Sequence, residues 1–271
     1  MIRENKLSIK IGKIILIFYL LLFIVSIFWT PYNPNEIVTA DKFLSPSFEH
    51  IFGTDNMGRD ILSRIMEGTK ITVLLSFGTV FFALAFGSLI GATAGYFGGN
   101  VDEVLMRFID SLMAFPGILF AMMLVFVFGA GILNTIIAIG TMSIPYFARA
   151  VRSGFLQVKE SVFVKSAIVK GGSPLYIAKN HIFPNIKNQL MVAIILSISS
   201  AILSEAGLSY LGLGVRPPHP SWGRMLKESQ AYFAQAPWYF IFSGLNLSLL
   251  VLGFTLFGEN FRNKRLKEKK G

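Results

Sequence analysis

Few side chains in this sequence could do chemistry, and their placement restricts what that chemistry is. Two carboxylates fall within long apolar runs. Asp110 has Arg107 three residues before it, and Glu205 shares its run with Ser197, Ser200 and Ser204. An acid in hydrocarbon is costly and is kept where it faces a cavity, relays a proton or bonds a neighbouring helix. For Asp110 the preceding arginine predicts a local ion pair at a helix end. For Glu205 two readings stand: it lines a pathway with the serine stripe, or it bonds an adjacent helix. A second charged group, Asp55, Arg59, Asp60 and Arg64, precedes the second apolar run and reads as a structural cluster rather than a direct substrate site.

No catalytic constellation accompanies these groups. His50, His181 and His219 lie far apart and form no His-x-x-x-His pair, so no zinc site is expected. The chain has no cysteine, which removes thiol nucleophiles, thiolate metal sites and disulfides. It lacks Gly-x-x-x-x-Gly-Lys-Ser/Thr, so it offers no phosphate loop for ATP. Gly98-Gly99 and Gly212-Leu213-Gly214 lack a strand–turn–helix setting and read as helix ends. An enzyme is not expected, nor a cofactor bound by this chain.

The elements that must position these residues are membrane helices. The chain is 53% apolar and 15% charged, with 26 phenylalanines, and its mean hydropathy is +0.60. A soluble core of this size could not hide so many continuous apolar runs. Six spans are predicted: Ile14–Trp29, Ile71–Tyr96, Phe108–Phe128, Ile132–Ala148, Gln189–Leu208 and Trp238–Phe257. Each approaches the roughly 20 residues that cross a bilayer, and backbone satisfaction in lipid makes them helices. The first follows Arg3, Lys6, Lys10 and Lys13. Its only cleavage-like triplet, Val38-Thr39-Ala40, lies too far beyond Trp29, so it reads as an uncleaved anchor. With the N-terminus inside, 18 of the 25 Lys and Arg fall on the cytosolic side, as the positive-inside rule requires. Both termini are then cytosolic. The net charge of +10 is explained by topology and not by nucleic acid.

The segment from Glu160 to Asn185 is too long and patterned for a simple connection. Phe163 and Ala167 fall at helical spacing beside Val162, leaving an apolar face to cover. Gly171-Gly172 stops that helix, and Pro184 precedes the next apolar run. A basic, amphipathic element on a membrane surface is suited to lipid headgroups or to another protein.

This island resembles the cytosolic EAA loop of permease subunits in ABC importers, Glu-Ala-Ala-x-x-x-Gly followed by Ile-x-Leu-Pro. Lys165-Ser166-Ala167 stands at the Glu-Ala-Ala positions, Gly171 at the glycine, and His181-Ile182-Phe183-Pro184 at the second element. Two longer stretches are similar to the C-type permease of the peptide/nickel importer family. One is Phe52-Gly53-Thr54-Asp55-Asn56-Met57-Gly58-Arg59-Asp60-Ile61-Leu62-Ser63-Arg64. The other runs Glu205-Ala206-Gly207-Leu208-Ser209-Tyr210-Leu211-Gly212-Leu213-Gly214 and continues to Pro220-Ser221-Trp222-Gly223. Ala114-Phe115-Pro116 is also typical of that family, and the resemblance covers essentially all of the chain past residue 45.

The resemblance implies an all-α, six-span type I importer permease. Its parts would be an anchor helix and outer loop (1–70), a transmembrane domain (71–260) with a coupling loop (152–187), and a basic tail (261–271). The implied partners are a second, homologous permease, two cytosolic ATPases that carry ATP and Mg, and an external binding protein, all in the cell membrane. Phe163, Lys165, Ser166, Ala167, Gly171, Phe183 and Pro184 would meet an ATPase; Gly53, Thr54, Asp55, Gly58, Arg59, Asp60 and Arg64 would form an outer structural motif. Lys165 departs from the family acid. An exposed ion pair contributes little, so docking is expected to rest on the apolar face and the glycine turn. Cargo stays open among oligopeptides, dipeptides, nickel and metal–metallophore complexes. The alternative from another class is an ion-coupled secondary transporter using Glu205 and Asp110.

Overall fold

The computed structural model describes residues 6–268, and among these there is helix and loop but no strand, only a single bridge between Thr54 and Asp60. Ten helices follow in order: α1 (Lys6–Phe28), α2 (Ile61–Phe97), α3 (Gly99–Met113), α4 (Gly117–Phe128), α5 (Ile132–Lys159), α6 (Val162–Val169), α7 (Pro174–Ile177), α8 (Phe183–Tyr210), α9 (Trp222–Gln230) and α10 (Pro237–Glu268). A wide helical turn, Ala178–Ile182, joins α7 to α8. Four helices among the described residues are long and apolar enough to cross a membrane, or five if the bent pair α3–α4 is one span.

Most elements overrun the predicted spans because a helix does not stop where hydrocarbon stops. α2 starts ten residues before Ile71, where the Asp60 side chain accepts from Ser63 N and caps it. α10 carries on into the segment set apart as a basic tail, as far as Glu268; residues 269–271 lie outside the described residues. The third predicted span is corrected. Phe108–Phe128 is not one helix, because α3 and α4 meet at an 84° bend across Ala114-Phe115-Pro116. Pro116 has no N–H to donate and pushes its predecessor away from helical geometry. α3 is itself amphipathic, with Ile109 as its buried residue.

α5 carries Asn134, Pro145, Arg149 and Arg152 among its apolar residues, and it runs along α2 through the middle of the bundle. A ladder of small residues lets the two approach. A Cβ at Gly87 would lie 2.6 Å from Phe147 Cβ, one at Gly91 2.3 Å from the Ala148 carbonyl oxygen, and one at Gly95 2.6 Å from Phe155 Cβ. Gly at every fourth position is a sequence signal of close helix pairing in membranes. On the other flank α1 packs on α10, where the buried Tyr19 hydroxyl donates to the Asn246 carbonyl and side-chain oxygens at 2.9 Å.

Candidate functional site: a docked island at one end and a buried charge cluster at the other

The island is held against the bundle by its own small core. Val164 and Ile177 are fully buried with Val151, Phe155, Ile182 and Ile186, and Ala167, Phe183 and Leu190 pack around them. The inward face is therefore Val164 with Ala167, whereas the sequence suggested Phe163 and Ala167 as the apolar face. Phe163 is instead half exposed, and Val162, Val169, Leu175 and Tyr176 are more so. An anchored element thus presents an outward apolar surface, flanked by exposed Lys165, Lys170 and Lys179.

The turn after α6 explains its glycines. Gly171 has φ +80° and donates to the Ile168 carbonyl at 2.9 Å, while Gly172 N donates to the Ala167 carbonyl at 3.0 Å. The left-handed residue closes the helix and reverses the chain towards α7. Ser173 then caps α7 by accepting from Tyr176 N at 3.3 Å. Lys165 is not left without a partner: its Nζ lies 2.9 Å from Glu160 Oε2, with both side chains largely exposed. That ammonium holds the Glu160 carboxyl below its ordinary range. Ser166 and Pro184 are exposed, Pro184 in the first turn of α8.

Three contacts tie the island's stem to the bundle. Arg152 Nε and Nη2 donate to the two oxygens of Asp102 at 2.5 and 2.6 Å. Lys159 Nζ donates to the Tyr96 carbonyl, and Arg149 Nη2 lies 2.6 Å from Asp110 Oδ1. The last corrects the expected partner of Asp110. Arg107 reaches back to Glu103 at 2.5 Å instead, the favoured i, i+4 order with the acid N-terminal. Asp102 and Arg152 were not legible as a pair, since 50 residues separate them.

At the opposite end the predicted charge cluster exists and is larger than expected. Arg59 Nε meets Asp55 Oδ2 at 2.6 Å, and Arg64 Nε meets the same oxygen at 3.5 Å. Glu228 of α9 joins them, with Arg59 at 3.3 Å, Arg64 at 3.8 Å, Arg224 at 2.7 Å and the Tyr239 hydroxyl donating at 3.1 Å. Burial pushes the Glu228 carboxyl up, but the Arg224, Arg64 and Arg59 charges outweigh it and leave it below its ordinary range. Nothing in the sequence near Arg59 announced Glu228, which lies 169 residues away. Asp60 turns elsewhere, capping α2 and meeting His50 Nδ1 at 3.0 Å. Buried Thr54 donates to the Asp41 carbonyl and accepts from Leu44 N. Gly53 and Gly58 have φ +74° and +77°, and a Cβ on Gly58 would collide with the Val38 carbonyl.

Glu205 departs from the serine stripe. Ser197, Ser200 and Ser204 share one face of α8, with Ser197 and Ser200 lining a notch against α5. Glu205 faces inward, 1% exposed, where Ser209 donates to it at 2.6 Å and Ser221 of the α9 cap lies beside it. The two features read together in the sequence are separate surfaces of one helix.

A bundle of apolar helices, with an anchored island at one end and a stapled charged loop at the other, is the architecture of a multi-pass membrane component. Residues 87–267 match the family of binding-protein-dependent transport system inner membrane components. The chain is 37% identical, over 97% of its length, to a dipeptide transport system permease protein of Alkalihalophilus pseudofirmus, of which it covers 86%. It is 41% identical, over 91% of its length, to glutathione transport system permease proteins of Escherichia coli and Shigella sonnei, covering 83% of each. The chain belongs to this family of ABC-type permeases, and is a transport component rather than an enzyme.

Proposed function

We propose that this chain forms half of the membrane pathway of an ATP-driven importer of short peptides. The observation that carries the reading is the island: an anchored element whose outward apolar surface has no cover among the described residues. Such a surface suits a cytosolic ATPase, whose closure would push α5 and α8 through α6 and α7. ATP and Mg belong to two such ATPases. A second, homologous permease completes the pathway, and an external binding protein delivers cargo. In this reading the bent pair and α5 bring the crossings to six, with both termini cytosolic, as the distribution of Lys and Arg supports.

The dipeptide and glutathione permeases among its relatives favour peptides over nickel or metal chelates. An ion-coupled carrier is less well supported: Asp110 is an exposed partner of Arg149, and Glu205 is buried away from it. The test is purification of the tagged chain from its native membrane. Two ATPases and a sister permease should accompany it, and reconstituted vesicles should take up dipeptide only with ATP and the binding protein. Uptake by the chain alone would sink the importer reading. Identifying what the binding protein retains decides the cargo.

A further inference from the structure

The notch between α5 and α8 differs chemically from the exposed face of α2 formed by Leu74, Phe77, Phe81 and Leu89, which suits lipid. The notch, about 320 Å³, is lined by Ser143, Tyr146, Ser197 and Ser200 with Met142 and Leu196. Ser143 spends its donor on the Ile139 carbonyl. Among the described residues no hydrogen bond engages the hydroxyls of Tyr146, Ser197 or Ser200, although Ser197 is only 9% exposed and Tyr146 is 48% exposed. Hydroxyls left unpaired in hydrocarbon are costly, so this side faces something that hydrogen-bonds.

We infer that this notch is a cargo station in the transport pathway, where neutral hydroxyls bind the backbone amides of a short extended peptide. The inference rests on the importer reading and adds the surface that touches cargo. Its volume is at the small end of ligand pockets, which run from about 300 Å³, so it holds one or two residues at a time. No charged side chain lines it. Peptides are therefore handled through groups they all share, largely regardless of side-chain charge. Tyr146 is the main contact, being the longest donor at the mouth.

The chain's lack of cysteine makes the test clean. Tyr146→Cys and Ser200→Cys, with Phe81→Cys as lipid-facing control, are placed singly in the assembled complex in lipid nanodiscs. A positively charged methanethiosulfonate reagent is added, and modification of this chain is followed by mass. The notch residues should react at least about tenfold faster than Phe81→Cys, and dipeptide-loaded binding protein with ATP should change their rate. In vesicles, Tyr146→Phe should slow dipeptide uptake about fivefold, the loss of one hydrogen bond of about 1 kcal/mol, with binding-protein affinity unchanged. If Tyr146→Cys and Ser200→Cys are as inert as Phe81→Cys while uptake proceeds, lipid or the sister permease covers the notch and the assignment is overturned. If no ATP-dependent uptake occurs with the parent chain, the importer reading falls, and this inference with it.

Discussion

Arg152 and Asp102 are joined by two parallel hydrogen bonds, of 2.5 and 2.6 Å, that fasten α5 to the start of α3 just above the island. The pair is partly screened, at 33% and 17% side-chain exposure. Its planar two-point geometry nonetheless fixes direction as well as distance. α5 runs unbroken from this clamp to Lys159, so the clamp links the island's stem to α3, which leads into the bend at Pro116.

Arg152→Lys keeps the charge but cannot reproduce the fork. It should lower peptide-stimulated ATP hydrolysis and uptake together, with the complex still assembled. Asp102→Asn should do the same, and the double variant should be no worse than either single one. Additive losses in uptake from vesicles would show that the two side chains act independently.

Gly171 closes α6 at φ +80° with open space around the position a Cβ would take. The cost of a side chain there is conformational, about 1–2 kcal/mol, and not steric. Gly171→Val should therefore uncouple ATP hydrolysis from uptake while insertion into the membrane stays normal. Gly171→Asn, which tolerates the left-handed region, should retain most uptake. Normal transport by the valine variant would remove the island from the coupling route.

Glu205 bonds Ser209 in a fully buried setting beside Ser221. Glu205→Leu strands the Ser209 hydroxyl, a loss of about 1–3 kcal/mol, whereas Glu205→Gln keeps an acceptor. Leucine should lower the melting temperature of the purified complex and impair uptake strongly; glutamine should do both mildly. A change in cargo-stimulated ATP hydrolysis without a change in melting would instead place Glu205 in the pathway.

Glu228 should make stability depend on pH in one direction. Its carboxyl lies below the ordinary carboxylate range when folded, so its contribution is full above that range and is lost as pH falls through the folded value. Glu228→Gln should cost about 1–3 kcal/mol at neutral pH. The gap in melting temperature from the parent should narrow as pH is lowered towards about 4. A gap that stays constant with pH would show that shape, not charge, holds the cluster.

Much of the molecule is written locally. Unbroken apolar runs fix helices wherever water is absent, so five of the six predicted spans coincide with continuous helices. Gly171, Gly58 and Asp60 sit where turn and cap chemistry demands them. The Gly87-Gly91-Gly95 spacing was a further signal that the sequence reading passed over, since close packing needs small residues at every fourth position. What tertiary structure alone decided is which distant groups meet. Asp110 is paired across helices with Arg149 rather than along its own with Arg107. Glu228 completes the Asp55–Arg59–Arg64 cluster, and α8 turns Glu205 inward while Ser197 and Ser200 line the notch. Periodicity tells which residues share a face, but an ion pair between helices depends on their crossing, rotation and depth. Those are set by how the whole bundle packs.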